Sequence, residues 1–270
     1  MAKLVVSSQE GDSEPSPVRI CFERIIPDDL DAGRPARRAF RQYLESSARK
    51  ALSAADQVLV ARMAVVNTKK WPTNTILKCK FLDGSPKMRK KVETVAHKWE
   101  QYENVKFKFV SAGAAEIRIS FRADPGSWSA VGQDALNSSY FPLHQPTMNY
   151  GWLRDGTDGQ EYSRVVLHEF GHALGCIHEH QSPSFDRVWN EKAVLANFQG
   201  PPNYWTPDQI RTNVLEKYSP DGITASQFDP KSIMLYAFDG RLFSDGKGPT
   251  NTNAELSPTD IKMIRQMYEK

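Results

Sequence analysis

The sequence has only three cysteines among its 270 residues, and they are scattered along the chain. Three cysteines cannot form the dense disulfide framework on which small secreted domains depend. No stretch approaches the roughly 20 apolar residues of a membrane-spanning helix. Residues 1–17 offer one lysine and the short apolar run 4–6, less than the roughly 7–15 apolar residues of a secretory signal. We therefore expect no membrane span, and we favour a cytoplasmic location or non-classical secretion.

The sequence also lacks a strong excess of charge of either sign. Its 35 basic and 32 acidic residues leave a formal net charge of +3. This near-balance gives no electrostatic reason to expect nucleic acid or an anionic membrane as the main partner. Hydrophobic residues make up 40% of the chain and aromatic residues 10%, which is ample for a buried core. The composition therefore predicts a globular protein.

Composition and apolar spacing change near Trp71, where the segment WPTNT interrupts the pattern. We interpret residues 1–70 as an N-terminal extension and residues 71–270 as the main domain. Within the extension we predict a disordered tail over 1–17, a short strand over 19–25, and helices over 35–50 and 53–66.

Beyond Trp71, apolar and polar residues alternate in several short segments, as they do in half-buried strands. Ser85 and Pro86 suit the N-cap and the first position of a helix. The order of strands and helices predicts an α/β or α+β fold with a mostly parallel sheet. The predicted strands lie within 76–82, 105–110, 116–122, 126–132 and 147–153, and later helices lie at 189–199, 206–218 and 257–268.

Four of the six histidines fall in one segment, HEFGHALGCIHEH (168–180). Residues four apart project from one face of a helix, so His168 and His172 can bind a single ion. Gly175 is a helix stop because glycine readily adopts the left-handed conformation, and the chain can then bring His178 back to the same ion. Imidazole suits Zn²⁺, and a catalytic zinc usually takes three protein ligands. The spacing therefore predicts one catalytic zinc.

The residue after the first ligand, Glu169, can reach a zinc-bound water rather than the metal. The full pattern HExxHxxGxxH, followed by a Met-turn, is the signature of the metzincins. KSIMLYAF (231–238) supplies a methionine at Met234, with Tyr236 two residues later. Alone, this segment is typical of a buried strand or turn. Joined to the histidine motif, it indicates a metzincin.

HEFGHALGCIHEHQSP followed by SIMLY resembles the astacin family of zinc endopeptidases within the metzincin clan. The likeness covers roughly residues 71–270, including WPTNTILKCKFL, WSAVG and ELSPTDIKMIRQMY, and does not clearly extend to residues 1–70. It implies a metzincin-like fold: a mostly parallel twisted sheet with an antiparallel edge strand, an active-site helix carrying the histidine motif, and a mainly helical C-terminal subdomain with the Met-turn.

The resemblance also implies a role for individual residues. Glu169 matches the general base that activates zinc-bound water and passes its proton to the leaving amine. Tyr236 matches the tyrosine that stabilises the oxyanion, and Met234 matches the methionine beneath the zinc. Glu179 matches a family residue that helps settle the mature N-terminus. The three zinc ligands are matched by His168, His172 and His178.

WSAVG resembles the edge strand on which an extended peptide substrate lies. We therefore expect protein or peptide substrates in extended conformation, because an unpaired strand edge offers backbone hydrogen bonds to them. Nucleic acid and a membrane span are not expected. The function that the resemblance implies is hydrolysis of internal peptide bonds by a zinc-dependent endopeptidase.

The sequence departs from the astacin pattern in three respects. Leu235 stands where family members commonly carry histidine, the family's two disulfides are missing, and no propeptide aspartate motif is evident beyond Gly11-Asp12. Cys79 and Cys176 are expected to pack in the core, and packing is preferred over a thiolate on the zinc for Cys21. The alternatives left open are a pseudoprotease or latent zymogen that binds peptides without cleaving them. A deformylase-like hydrolase is disfavoured by Gly175 and the Met-turn.

Overall fold

The computed structural model describes residues 21–24, 65–123, 126–201, 203–218, 223–224 and 227–269. The predicted tail over 1–17, the helix over 35–50 and all but the end of the helix over 53–66 lie outside the described residues. That end is a correction, because Val65–Val66 forms a strand, β2, paired antiparallel with β8 (Ile223–Thr224). Valine is branched at Cβ, which favours a strand over a helix.

The main sheet has six strands in the order β1-β6-β7-β5-β3-β4. Four of them, β7, β5, β3 and β4, are mutually parallel, and β6 runs antiparallel to β7. The first strand, β1, lies outside β6 and parallel to it. The remaining bounds are β1 (Phe22–Arg24), β3 (Ile76–Phe81), β4 (Lys106–Phe109), β5 (Ile117–Ser120), β6 (Trp128–Ala130) and β7 (Met148–Asn149). The predicted mostly parallel sheet is confirmed. Each strand predicted beyond Trp71 is present in shortened form, and β1 lies within the strand predicted over 19–25.

The alternation in β3 decides which of its faces meets the core. Leu77 and Cys79 are fully buried, while Lys78 between them is exposed. Opposite Cys79, the register places Phe109 on one neighbour and Ile117 on the other. The apolar face of the sheet therefore packs against helices, and the lysine-bearing face points to solvent.

Two helices cover the apolar face of the sheet. The first, α1 (Pro86–Ala96), begins at Ser85, whose side chain accepts a hydrogen bond from the Met88 N–H as predicted. The second, α2 (Gly159–Ala173), is buried along most of its length. Just beyond α1, Trp99 is fully buried and donates through Nε1 to the Leu167 carbonyl, 3.1 Å away. The hydrogen bond from Trp99 ties α2 to the segment that follows α1.

The C-terminal part of the domain is mainly helical, as expected. It contains α3 (Glu191–Gln199), α4 (Pro207–Ile210) and α5 (Pro258–Tyr268). The predicted helix over 206–218 is shorter than expected, since α4 changes at Arg211–Leu215 into a π-helical turn. No helix within the described ranges is long and apolar enough to cross a membrane.

The two ends of the described main domain meet at the end of α2. Trp71 donates through its indole N–H to the Ala173 carbonyl at 2.7 Å. Tyr268, at the end of α5, donates its hydroxyl to the Leu174 carbonyl at 2.6 Å. Both side chains are buried. The helix that carries the histidine motif is thus held by residues from both ends of this domain.

Candidate metal centre and catalytic cleft

Helix α2 carries the first two histidines, and identifiable residues start and end this helix. Asp158 caps its N-terminus by accepting from the Gln160 N–H at 2.7 Å. Residues 154–158 therefore lead directly into the helix. At the other end, Gly175 has φ of +98°, a left-handed conformation that glycine adopts readily. The predicted stop at this glycine is confirmed, and the chain then returns to place His178 beside α2.

The three histidines converge through their Nε2 atoms. The Nε2 of His172 lies 3.2 Å from that of His168 and 3.1 Å from that of His178. All three side chains are buried, and their candidate ligand atoms lie within 4.8 Å of one another. The structure therefore brings together the three residues that the spacing of the motif predicted.

Hydrogen bonds made by the Nδ1 atoms of His168 and His172 decide which ring nitrogen carries the hydrogen. The Nδ1 of His168 donates to the Ile233 carbonyl at 2.8 Å, and the Nδ1 of His172 donates to the Cys176 carbonyl at 2.8 Å. A carbonyl can only accept, so Nδ1 carries the hydrogen and Nε2 keeps its lone pair. Burial lowers the pKa of His168 well below its usual value and that of His172 to about 4. Both rings are therefore neutral.

Converging lone pairs repel unless a cation lies between them. Zinc–nitrogen bonds of about 2.0–2.1 Å in a tetrahedral site require nitrogen atoms roughly 3.3 Å apart. The observed separations of 3.2 and 3.1 Å lie close to that spacing. Neutral imidazoles with the proton on the outer nitrogen are also the form that binds zinc. The donor set, the two separations from His172 and the tautomers of His168 and His172 fit one zinc ion.

Glu169 lies in the same buried region. Its side chain is fully buried, and burial raises its pKa to about 8, against the opposing effects of Cys21 and Arg164. Burial disfavours the charged carboxylate, so the group holds a proton more readily than an exposed glutamate does. A carboxyl with a pKa near neutrality is suited to proton transfer.

The segment with Met234 lies directly against α2. A Cβ added at Gly171 would be 2.4 Å from the Met234 Sδ, well inside contact distance. Only glycine at this position lets the methionine approach the helix so closely. The N–H of Glu179 also donates to the Met234 carbonyl at 3.0 Å. Gly171, inside HEFGH, is a residue that sequence reasoning did not single out.

Asp260 is a second residue that the sequence did not single out, since it falls within the helix predicted over 257–268. Its carboxylate accepts from the Ser232 hydroxyl and the Ile233 N–H, both at 2.8 Å, and from the Ser257 N–H at 2.9 Å. The carbonyl of Ile233 is the acceptor for His168. Asp260 thus binds the N–H of the residue whose carbonyl orients the first ligand. The capping-box spacing was its only sequence signal.

Tyr236 lies beside the histidine cluster. Its ring centroid lies 4.5 Å from that of His178 and 5.1 Å from that of His168. The hydroxyl lies against the His178 Nε2 and donates to the Cys21 carbonyl. Leu235, the departure from the family pattern, is buried. It fills a core position beside the site.

Two other motif residues are placed differently. The carboxylate of Glu179 accepts from the Asp229 N–H at 2.8 Å, which ties the third-ligand loop to the chain that leads into the Met-turn. The ring of His180 stacks on that of His178 at 5.2 Å and contacts the Asn213 carbonyl at 3.1 Å. Burial lowers the pKa of His180 to about 3, so this ring is neutral and packs.

The edge of β6 carries a segment of the same chain. Phe22 in β1 is opposite Trp128, and Arg24 is opposite Ala130. The Arg24 guanidinium lies 3.7 Å from the centre of the Trp128 ring. Cys21, just before β1, is 1% exposed and adjoins Glu169. The predicted burial of Cys21 is confirmed, but its neighbours include a catalytic candidate. Cys79 and Cys176 are buried as expected.

Comparison with known proteins agrees with this geometry. The matrixin family of peptidases matches residues 70–192. A structure of myroilysin is 39% identical, with a TM-score of 0.73 over 77% of this chain and 98% of that one. Protein SpAN of Strongylocentrotus purpuratus is 26% identical over 190 residues, which is 63% of this chain and 27% of that protein. Blastula protease 10 of Paracentrotus lividus is 28% identical over 165 residues, 56% of this chain and 23% of that protein.

The fold, the histidine cluster and these likenesses define a zinc protease. The chain belongs to the metzincin-like zinc metalloproteases. The prediction of a zinc metalloendopeptidase with a three-histidine zinc site is confirmed at this level. The chain spans about a quarter of the length of the curated relatives that it matches.

Proposed function

We propose that this chain is an astacin-type endopeptidase that hydrolyses internal peptide bonds, with Glu169 as general base and Tyr236 as oxyanion stabiliser. The observation that carries the proposal is the hydrogen bond from the Tyr236 hydroxyl to the Cys21 carbonyl. It places a peptide carbonyl beside the three-histidine cluster, where a substrate carbonyl would have to lie. The astacin assignment rests on this tyrosine, two residues after Met234 and in contact with His178.

Three histidines, His168, His172 and His178, would hold the zinc. Bound zinc lowers the pKa of a coordinated water to about 7 and polarises a carbonyl. Glu169 takes the proton from water as its oxygen attacks the carbonyl carbon, and it delivers that proton to the nitrogen when the C–N bond breaks. The Tyr236 hydroxyl donates to the carbonyl oxygen as that atom gains negative charge.

The substrate is an extended peptide lying along β6. In this structure β1 pairs with that strand, which supports its capacity to bind extended chain through backbone hydrogen bonds. The Trp128 ring supplies an aromatic surface at the same edge, covered by Arg24. A cleft of this kind accepts internal segments of proteins.

Cleavage of casein by the purified full-length chain tests the proposal. Glu169→Ala is expected to abolish cleavage while one equivalent of zinc stays bound, and a chelator is expected to abolish both. Glu191→Ala, at an exposed glutamate, serves as the matched control and should cleave like the unaltered chain. Zinc retention with undiminished cleavage in Glu169→Ala would overturn the proposed base.

A second candidate is a latent form in which residues 21–24 block the cleft. Three observations favour it: β1 occupies the β6 edge, the Cys21 carbonyl accepts from Tyr236, and Cys21 adjoins Glu169. A latent chain binds zinc but cleaves slowly until this segment is displaced. Cys21→Ala should then raise the initial rate of casein cleavage. Equal rates in Cys21→Ala and in the unaltered chain would show that Cys21 does not maintain a latent form.

The pseudoprotease alternative differs from latency in one measurable respect. A pseudoprotease stays inactive after the N-terminal segment is cut away, whereas a zymogen becomes active. Limited proteolysis before Val65, followed by the casein assay on the product, separates the two. The presence of Glu169 in its buried position beside His168 favours the enzyme.

A further inference from the structure

The third histidine is oriented differently from the other two. His168 and His172 donate from Nδ1 to backbone carbonyls. His178 instead has its Nδ1 3.3 Å from the side-chain oxygen Oε1 of Gln181. A backbone carbonyl is present whatever the side chain, so its acceptor role survives substitution. The orientation of His178 therefore depends on the identity of a nearby side chain.

Gln181 is held on its other side by the π-helical turn that follows α4. Its Nε2 donates to the Thr212 carbonyl at 2.7 Å and to the Glu216 carbonyl at 3.1 Å. The backbone carbonyl of Gln181 also accepts from the Tyr218 N–H at 2.9 Å. The side chain is 1% exposed. The side-chain amide is thus anchored by two hydrogen bonds to one segment of chain, and the backbone of Gln181 is anchored to the same segment by a third.

This anchoring decides which end of the amide faces the histidine. Both Thr212 and Glu216 offer carbonyl oxygens, which only an N–H can satisfy, so the NH₂ end must point toward the turn. The oxygen end must then point toward His178. A carbonyl oxygen there requires a hydrogen on Nδ1, which leaves the lone pair on Nε2. The turn therefore sets the tautomer of the third ligand through Gln181.

We propose that Gln181 is a positioning residue for the zinc site, and that the π-helical turn Arg211–Leu215 is its anchor. The inference rests on the zinc protease proposed above and assigns a task to a segment outside the histidine motif. π-helical turns occur mostly as short insertions at functional sites. An ordinary α-helical continuation would space the carbonyls of this segment differently. The His180 contact with Asn213 adds a further link between the same two segments.

A purely structural role for Gln181 makes a different prediction, because the two ends of the amide can be separated. Gln181→Met keeps the length of the side chain and removes both the acceptor and the donor. Gln181→Glu keeps an oxygen facing His178 and loses the two donors to the turn. If positioning the ligand matters, the two variants differ in zinc affinity. If only the hydrogen bonds from Gln181 to the turn matter, both variants lose the same zinc affinity.

The experiment is a zinc competition titration of the full-length chain against a chelator of known affinity. Gln181→Met is expected to raise the zinc Kd about 10–100-fold, the usual effect of losing a partner of a metal-bound histidine. Gln181→Glu is expected to stay within about threefold of the unaltered chain, because a carboxylate partner serves the same histidine. Gln160→Met, at an exposed glutamine on α2, is the matched control.

The outcomes are separable. An unchanged Kd in Gln181→Met, or an equal loss in Gln181→Met and Gln181→Glu, overturns the inference. Failure of the unaltered chain to bind zinc overturns the proposed function itself. If Gln181→Met does not fold, the ¹H–¹⁵N spectrum of the zinc-free unaltered chain decides, because bound zinc would itself exclude a hydrogen from Nε2. A hydrogen on the His178 Nδ1 is expected there, and a hydrogen on Nε2 would overturn the inference.

Discussion

Single hydrogen bonds decide the chemical state of this site at the scale of residues. The Ile233 carbonyl holds the His168 tautomer, and Asp260 accepts a hydrogen bond from the N–H of the same residue. Each of these groups is buried, so an unmet donor or acceptor would cost about 1–3 kcal/mol. The lone pairs that converge on the zinc position are therefore directed by residues that never touch it.

Tyr236→Phe tests the oxyanion role. Loss of the hydroxyl should lower kcat on a peptide substrate about 10²–10³-fold, the usual effect of removing one oxyanion donor. The zinc content should be unchanged, because the three histidines remain. Steady-state kinetics and metal analysis on the same sample measure both quantities. Tyr204→Phe, at an exposed tyrosine, is the control, and a kcat above one tenth of the original would contradict the role.

Asp260→Asn tests the buried carboxyl behind the Met-turn. Burial raises the pKa of Asp260 from 3.8 to about 6, despite hydrogen bonds from Ile233, Ser257 and Ser232 that oppose the shift. Because the folded pKa lies above the unfolded one, the protonated form favours folding. That stabilisation is complete below pH ~3.8 and is lost as the pH rises through about 6.

The shift in the pKa of Asp260 costs the unaltered chain about 3 kcal/mol of folding stability as the pH rises, since one pKa unit corresponds to 1.36 kcal/mol. Asn does not titrate, so Asp260→Asn is expected not to lose this stability. Urea unfolding of the zinc-free chain at pH 4 and pH 7 measures it. Relative to the unaltered chain, Asp260→Asn should become more stable as the pH rises from 4 to 7. Asp208→Asn, at an exposed aspartate, gives the background. A difference independent of pH would contradict the shift.

At the scale of elements, the close approach of the Met-turn to α2 determines the shape of the site. The contact depends on the absence of a side chain at Gly171, not on the helix propensity of that residue. An alanine in the middle of a helix would ordinarily stabilise it by about 1 kcal/mol. Packing against Met234 therefore opposes local preference here, and packing prevails.

Gly171→Ala is expected to lower the free energy of unfolding by about 1–3 kcal/mol through overpacking, in spite of the gain in helix propensity. Combined with Met234→Ala, which makes room, the loss should be less than additive. Urea unfolding of the two single variants and the double variant gives the coupling. Gly159→Ala on the same helix, with no atom within 4 Å of the added Cβ, is the control. Strictly additive losses of unfolding free energy would show that the contact between residue 171 and Met234 is not the cause.

At the scale of the whole molecule, distant parts of the chain close around α2. Trp71 and Tyr268 bond to its last carbonyls, and β1 lies along the strand expected to bind substrate. The domain boundary at 70/71 and the location in the cell stay predictions. The same strand edge serves an intramolecular segment or a substrate, and these two compete by mass action.

Arg24→Ala is expected to raise the rate of casein cleavage about 2–30-fold, because the guanidinium that lies 3.7 Å over Trp128 helps hold β1 in place. The initial rate at low substrate measures the effect. Arg187→Ala removes a comparable contact, 3.6 Å over Phe243, that is not part of the β1–β6 pair. It should leave the rate unchanged. A lower rate in Arg24→Ala would mean that β1 supports the site rather than blocking it.

Much of the fold was predictable because its causes are local. Ser85 with Pro86, and Ser257 with Asp260, fixed helix starts through bonds to the next few residues. The π-helical turn at Arg211–Leu215 was not predictable, since the Thr212 carbonyl within it and the Glu216 carbonyl after it accept from the side chain of Gln181, some thirty positions away. Nor was the strand at Val65–Val66, whose partner lies more than 150 residues later.

By itself, the sequence determined the zinc ligands, because spacing on one helix and one glycine are enough to converge three histidines. It also determined the mostly parallel fold, through the order of its strands and helices. Only the tertiary structure decided the tautomers, the closeness of Met234 to Gly171, and the placement of Cys21 beside Glu169. These depend on contacts between residues far apart in the chain, and such contacts exist only once the core has closed around α2.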